Sequence, residues 1–209
     1  VRSRATIALL CLAAVGLMLE ACSRPQAPQE ACGFVQNPDL QRVSWKQHLP
    51  IKLYVHKSVP QEAYDSIDRA IAEYNSGPGG GREIFKIIAR GVDGDLNPQK
   101  DGYSTIYWFN TWDPDRTTEQ ARTTIYWSGN EIFEADMRIN AKDFTYNYDP
   151  ANSSFTNVDL DSLVLHELGH VLGLAHITTA GSAMHATLDE GQVRRKLGAI
   201  DQSDLKCEY

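Results

Sequence analysis

Three histidines, one carboxylate and two glycines crowd into the eleven-residue run His166-Glu167-Leu168-Gly169-His170-Val171-Leu172-Gly173-Leu174-Ala175-His176. His166 and His170 are four residues apart in an apolar stretch, so on a helix both rings leave one face a turn apart. Two neutral imidazoles placed that way can share a metal ion. Glu167 sits beside the first ring, where its carboxylate reaches a water on the ion more readily than the ion itself, which is the place for a catalytic general base. On a continued helix His176 would lie roughly 9 Å further along the axis than His170, against a metal bond of about 2 Å. The chain must therefore turn back. Gly173 falls where that turn is required, because glycine takes a left-handed conformation without steric cost and can end the helix. Three nitrogen ligands leave a fourth position for water, which is the catalytic pattern of zinc. The expected chemistry is hydrolysis at one Zn2+ held by His166, His170 and His176.

This run, with Met184 eight residues after His176 in Ser182-Ala183-Met184-His185, resembles the metzincin zinc endopeptidases, whose long motif ends in a third histidine and is followed by a methionine turn. The resemblance is closest to the matrixins, the matrix-metalloproteinase branch, in the form of compact bacterial members carried on lipoprotein signals. It is strongest from Val158 to Met184. Upstream, Ile132 to Asn140 resembles the strand bordering the matrixin cleft, and downstream Leu197 to Leu205 resembles the closing helix. The resemblance implies an α+β fold: a twisted, mostly parallel five-stranded sheet with an antiparallel edge strand, two long helices, and a small C-terminal subdomain with a final helix. It also implies Met184 as an apolar floor under the ligands, and protein or peptide substrates bound as an extended strand along a sheet edge near residues 131 to 140. Departures stand at Ile177, where matrixins place serine, and at Ala186, near their proline. The astacins, whose turn is similar at Ser182 to His185, rank second as a subfamily. A protein of another class, an envelope-anchored scaffold or binding protein that keeps the zinc fold without turnover, finds no support in a run that carries both ligands and base.

The elements that must position this run are legible in part. Ile51, Leu53 and Val55 alternate as a strand does. Pro60 opens a helix with Ala63, Ile67, Ala70, Ile71 and Tyr74 along one stripe, and the glycines from Gly77 to Gly81 end it. Residues 83–89 and 104–112 are β-rich, and 121–127 with 131–140 read as a hairpin around Ser128-Gly129-Asn130. In its second strand Phe133, Ala135, Met137 and Ile139 are expected inward, with Glu134, Asp136, Arg138 and Asn140 on a wetter face. Asp93, Asp95, Asn97 and Asp101 resemble part of a calcium loop. Pro98 and Ser104 stand where that loop needs glycine and glutamate, so a polar surface loop is the preferred reading and Ca2+ is weakly supported.

The length allows one catalytic domain, residues 41–209, behind a tether and arm at 22–40 and a leader at 1–21. Arg2 and Arg4 precede an apolar run too short for a comfortable membrane span, which reads as an export signal. Leu19-Glu20-Ala21-Cys22 resembles a bacterial lipobox, so Cys22 is the expected site of a lipid anchor to the membrane. The protein is then exported to the cell envelope, as an outer-membrane lipoprotein or else periplasmic or extracellular. With Cys11 lost in the leader and Cys22 acylated, Cys32 and Cys207 remain as a candidate disulfide in an oxidising compartment. A cysteine switch at Cys32-Gly33, the thiolate blocking zinc, is the alternative. A net charge of -7 without a basic cluster argues against nucleic acid as a partner. A monomer is expected.

Overall fold

The computed structural model describes residues 26–46, 48–77, 82–96, 98–152 and 156–209. The leader, Cys22, Asn97 and the glycines 79–81 lie outside the described residues. Five strands form the main sheet: β1 (Ile51–His56), β2 (Phe85–Val92), β3 (Ser104–Phe109), β4 (Ala121–Ser128) and β5 (Glu131–Asn140). Their order is β2-β1-β3-β5-β4, and all neighbours are parallel except β4 and β5. A two-residue pair, β6 (Tyr146–Asn147) and β7 (Val158–Asp159), lies apart. This is the expected α+β architecture, mostly parallel with one antiparallel edge strand.

Helix α1 (Tyr64–Ser76) and helix α2 (Leu160–Val171) pack together on one face of the sheet. In α1 the predicted stripe is the buried one, Ile67, Ala70, Ile71 and Tyr74. Nearly every residue of α2 is buried, so it is held on all sides rather than on one stripe. Asp159 caps α2 by accepting from Ser162 N at 3.0 Å. Asp161 on α2 takes both arms of Arg69 from α1, at 2.6 and 2.9 Å. A short helix α3 (Ala199–Leu205) closes the chain.

Three expectations are corrected. The strand that borders the cleft at the end of the sheet is β4, because β5 is paired on both sides, by β3 and by β4. The inward set on β5 begins with Ile132 instead of Phe133: the register slips between Tyr126 and Trp127, leaving Phe133 as an extra residue that is 40 % exposed while Ile132 is fully buried. Nor is the other face of β5 wet. Glu134 and Asp136 are 0 % and 1 % exposed, because the chain before and at the start of β3 donates backbone N–H groups to them, from Asp101, Gly102 and Thr105 at 2.6 to 3.1 Å. At the flanks the outcome is smaller: β2 starts at Phe85 and β3 ends at Phe109, a few residues from the expected bounds.

Candidate metal centre

Helix α2 presents His166 and His170 on one face, and the chain then leaves it through Gly173. There φ is 97°, and the N–H groups of Gly173 and Leu174 close back on the carbonyls of His170 and Gly169 at 2.9 and 3.0 Å. A side chain on Gly173 would also strike the Val43 carbonyl, so the position demands glycine twice over. Beyond the turn the backbone is clamped on both sides of His176. On one side Val35 N donates to Gly173 O at 2.9 Å and Ala175 N to Gly33 O at 2.7 Å. On the other, Ile177 N donates to Met184 O at 3.0 Å. The last carbonyls of α2 are satisfied too, Val171 by Trp45 Nε1 at 2.8 Å and Leu172 by the Tyr209 hydroxyl at 2.7 Å.

The result is a near-equilateral triangle of three Nε2 atoms, 3.0 to 3.1 Å apart. The tautomers follow from the other ring nitrogens: His166 Nδ1 lies 2.7 Å from Ala183 O and His170 Nδ1 2.8 Å from Leu174 O, so both donate outward and keep Nε2 as a lone pair. Burial holds the histidines in the neutral form as well, pushing His166 down to about 3 and lowering His170 and His176. Inward lone pairs at this separation repel unless a cation lies among them. A tetrahedral ion with arms of about 2.0–2.1 Å requires nitrogens about 3.3 Å apart, close to the observed triangle. The residues therefore fit zinc. Among the described residues this triad is the one cluster of metal-binding side chains within ligand distance of one another. Among the described residues the acidic loop gathers no such cluster: Asp93 pairs with Lys57, and Asp101 accepts from Tyr103 N.

Glu167 is 4 % exposed, and burial raises its carboxyl to about 7 against a lowering hydrogen bond from Thr123. That bond runs from Thr123 Oγ1 to Glu167 Oε2 at 2.6 Å. The triad and Glu167 lie in a cleft of about 540 Å³, walled by the first half of β4 on one side and by residues 185–189 on the other. His185 also lines this cleft. Gln120 Nε2 spans the two walls to Leu188 O at 2.8 Å.

Met184 is buried, and its sulfur lies so close to Gly169 that a methyl group there would overlap it and the Tyr74 hydroxyl. Met184's own segment is fixed from below by Asp201, which accepts from Ala183 N at 2.8 Å and from the Ser182 hydroxyl. Beside Ala186, the wall is shaped by Arg194, which donates to the carbonyls of Ser182, His185 and Thr187. Cys32 and Cys207 are joined by a disulfide, which leaves Cys32 no thiolate to offer the metal and sets the switch reading aside.

Reading the sequence brought out the three candidate ligands, the candidate base, the turn glycine and the methionine, and the structure brings these residues together. It did not bring out Thr123, Arg194, Asp201 or Gly169 as site residues. Only Gly169 carried a signal of its own, a glycine inside an apolar helix where it costs about 1 kcal/mol against alanine.

Residues 110–207 match the Matrixin family. The chain is also similar to Metalloendoproteinase 4-MMP of Arabidopsis thaliana, 44% identical over 69 residues, a match covering 33% of this chain and 20% of that protein. The chain thus spans about a fifth of the length of the curated relative it matches. The matched family span holds the edge strand, the ligand helix, the three histidines, the methionine segment and the final helix. Residues 110–207 are thus similar to the matrixins, and the mostly parallel sheet with one antiparallel edge strand and the histidine triad agree with that match.

Proposed function

We propose that the protein is a zinc endopeptidase that hydrolyses peptide bonds in proteins outside the cytoplasm. The observation that carries the reading is the convergence of three histidine Nε2 atoms beside a buried glutamate, in a cleft bordered by the edge strand of a sheet. His166, His170 and His176 would hold the ion, and zinc so held supplies the Lewis acid that acidifies a water and polarises a carbonyl. An extended peptide pairs with the free edge of β4 through backbone hydrogen bonds, so main chain is read before side chains. Glu167 accepts the proton of the attacking water and returns it to the leaving amine. Gln120, the 185–189 wall and Arg194 behind it bound the space for the substrate side chain.

Export and a lipid tether at Cys22 belong to the same proposal. The Cys32–Cys207 disulfide supports it, since such a bond persists in oxidising compartments. In the test, Glu167→Ala retains zinc and loses cleavage of a quenched peptide library by at least about a thousandfold, while His170→Ala loses the metal. Metal analysis and turnover are measured on the same samples. A Glu167→Ala protein that cuts as fast as the parent would end the general-base assignment, and a parent that holds zinc without cutting any peptide would favour a scaffold.

A further inference from the structure

The hydrogen bond between β4 and the ligand helix has a specific geometry. Thr123 lies on the edge strand opposite Met137, and its Oγ1 is 2.6 Å from Glu167 Oε2 and 3.4 Å from the Glu167 carbonyl. A hydroxyl has one proton to give, and the shorter contact to a carboxylate lies in the charge-assisted range, so the carboxylate takes it. The other oxygen, Oε1, accepts no hydrogen bond among the described residues, although Glu167 lines the cleft. A glutamate has three side-chain torsions, and without an anchor its carboxylate swings among several rotamers.

We propose that Thr123 is a positioning residue for the reaction: by anchoring Oε2 it fixes the side-chain torsions of Glu167 and leaves Oε1 as the oxygen that meets the attacking water. This rests on Glu167 being the general base. The arrangement refers two requirements to one element, because the strand whose free edge pairs with a peptide also carries the hydroxyl that aims the base. A peptide bound in register along β4 is thereby placed against a base already oriented from the same strand. Pre-organisation of this kind acts on turnover more than on binding, since the hydroxyl is committed to Glu167 and not to the ground-state peptide.

Valine is the informative replacement, because it keeps the branched shape suited to a strand and removes the donor. Thr123→Val is expected to lower kcat about 10- to 100-fold, with KM within about twofold. Zinc content and thermal midpoint should stay near the parent's. Thr123→Ser, which keeps the hydroxyl, restores kcat to within about threefold of the parent. On a Glu167→Gln background, Thr123→Val should cause no further loss, because the carboxylate it positions is gone. If Thr123→Val fails to fold, Thr123→Ala is measured against the same criteria. A parent-like kcat in the valine protein, a loss that serine does not recover, or a loss that merely follows lost zinc or lost folded protein would overturn the role. Inert Glu167→Gln with parent-like Thr123→Val overturns only the positioning role, whereas active Glu167→Gln overturns the general-base reading beneath it.

Discussion

Gly169 shows how one residue type can serve packing against its own propensity. In an ordinary helix interior, alanine in its place would stabilise by about 1 kcal/mol. Here the methyl group would enter the volume of the Met184 sulfur and the Tyr74 hydroxyl, which itself donates to Leu165 O at 3.0 Å. Gly169→Ala is expected to destabilise by about 1–3 kcal/mol and to loosen zinc. Thermal melts and competition with a chelator measure both, and a variant melting above the parent would show that the methionine yields freely. At this scale the sequence is legible wherever spacing along one helix is the message. His166, Glu167, His170 and Gly173 announce themselves because a turn of helix converts four residues into one direction. Thr123 lies 44 residues from the glutamate it anchors, and Arg194 and Asp201 reach carbonyls and hydroxyls on another segment, so their roles exist only after folding.

Strand β5 buries two carboxyl groups, those of Glu134 and Asp136. Asp136 is pushed up to about 7, first by burial, then by the charges of Glu134 and Asp101, against lowering contributions from Thr105 N and Arg138. A carboxyl whose pKa in the folded state exceeds its unfolded value of 3.8 holds its proton more tightly when folded. The stability this gives is present in full below about pH 4 and is lost as pH rises through about 7. Asp136→Asn keeps an acceptor for Thr105 N and has no charge to bury. Its stability relative to the parent should therefore rise between pH 5 and pH 8, by on the order of a few kcal/mol. Urea denaturation of both proteins at the two pH values reads the difference directly, and parallel pH profiles would mean that Asp136 is not burying its charge. Alternation identified β1, β4 and β5 as strands, yet it assigned the second face of β5 to water. Alternation reports polarity, and it has no way to see a loop that brings its own N–H groups to buried carboxylates. The bulge at Phe133 escaped for a related reason, since one extra residue reverses the parity of everything before it.

Across the whole molecule, two distant segments meet at the metal centre. The arm from Gly33 to Trp45 and the segment from Leu205 to Tyr209 are joined by the Cys32–Cys207 bridge, by Glu208 with Arg42 and Lys46 at 2.8 and 2.7 Å, and by the Phe34 and Tyr209 rings. Replacing both cysteines by serine is expected to cost about 2–5 kcal/mol, since the bridge closes 175 residues of chain. Chemical denaturation before and after substitution measures it, and an unchanged midpoint would leave the bridge without a stabilising role. Cysteine counting supplied the pair, because only the number and compartment of thiols were needed. That the same arm would pair with residues 173–175 could not be read, since its short apolar stretch has no periodicity to mark a partner. The clamp has a consequence for the order in which the centre forms. Two ligands are placed by local helix formation, which is fast, while the third depends on long loop closures between the arm and residues 173–175, which are slow and entropically costly. The centre is thus braced only once the arm and the 205–209 segment have come together, so a chain that has its helix without these contacts holds two of the three histidines in place.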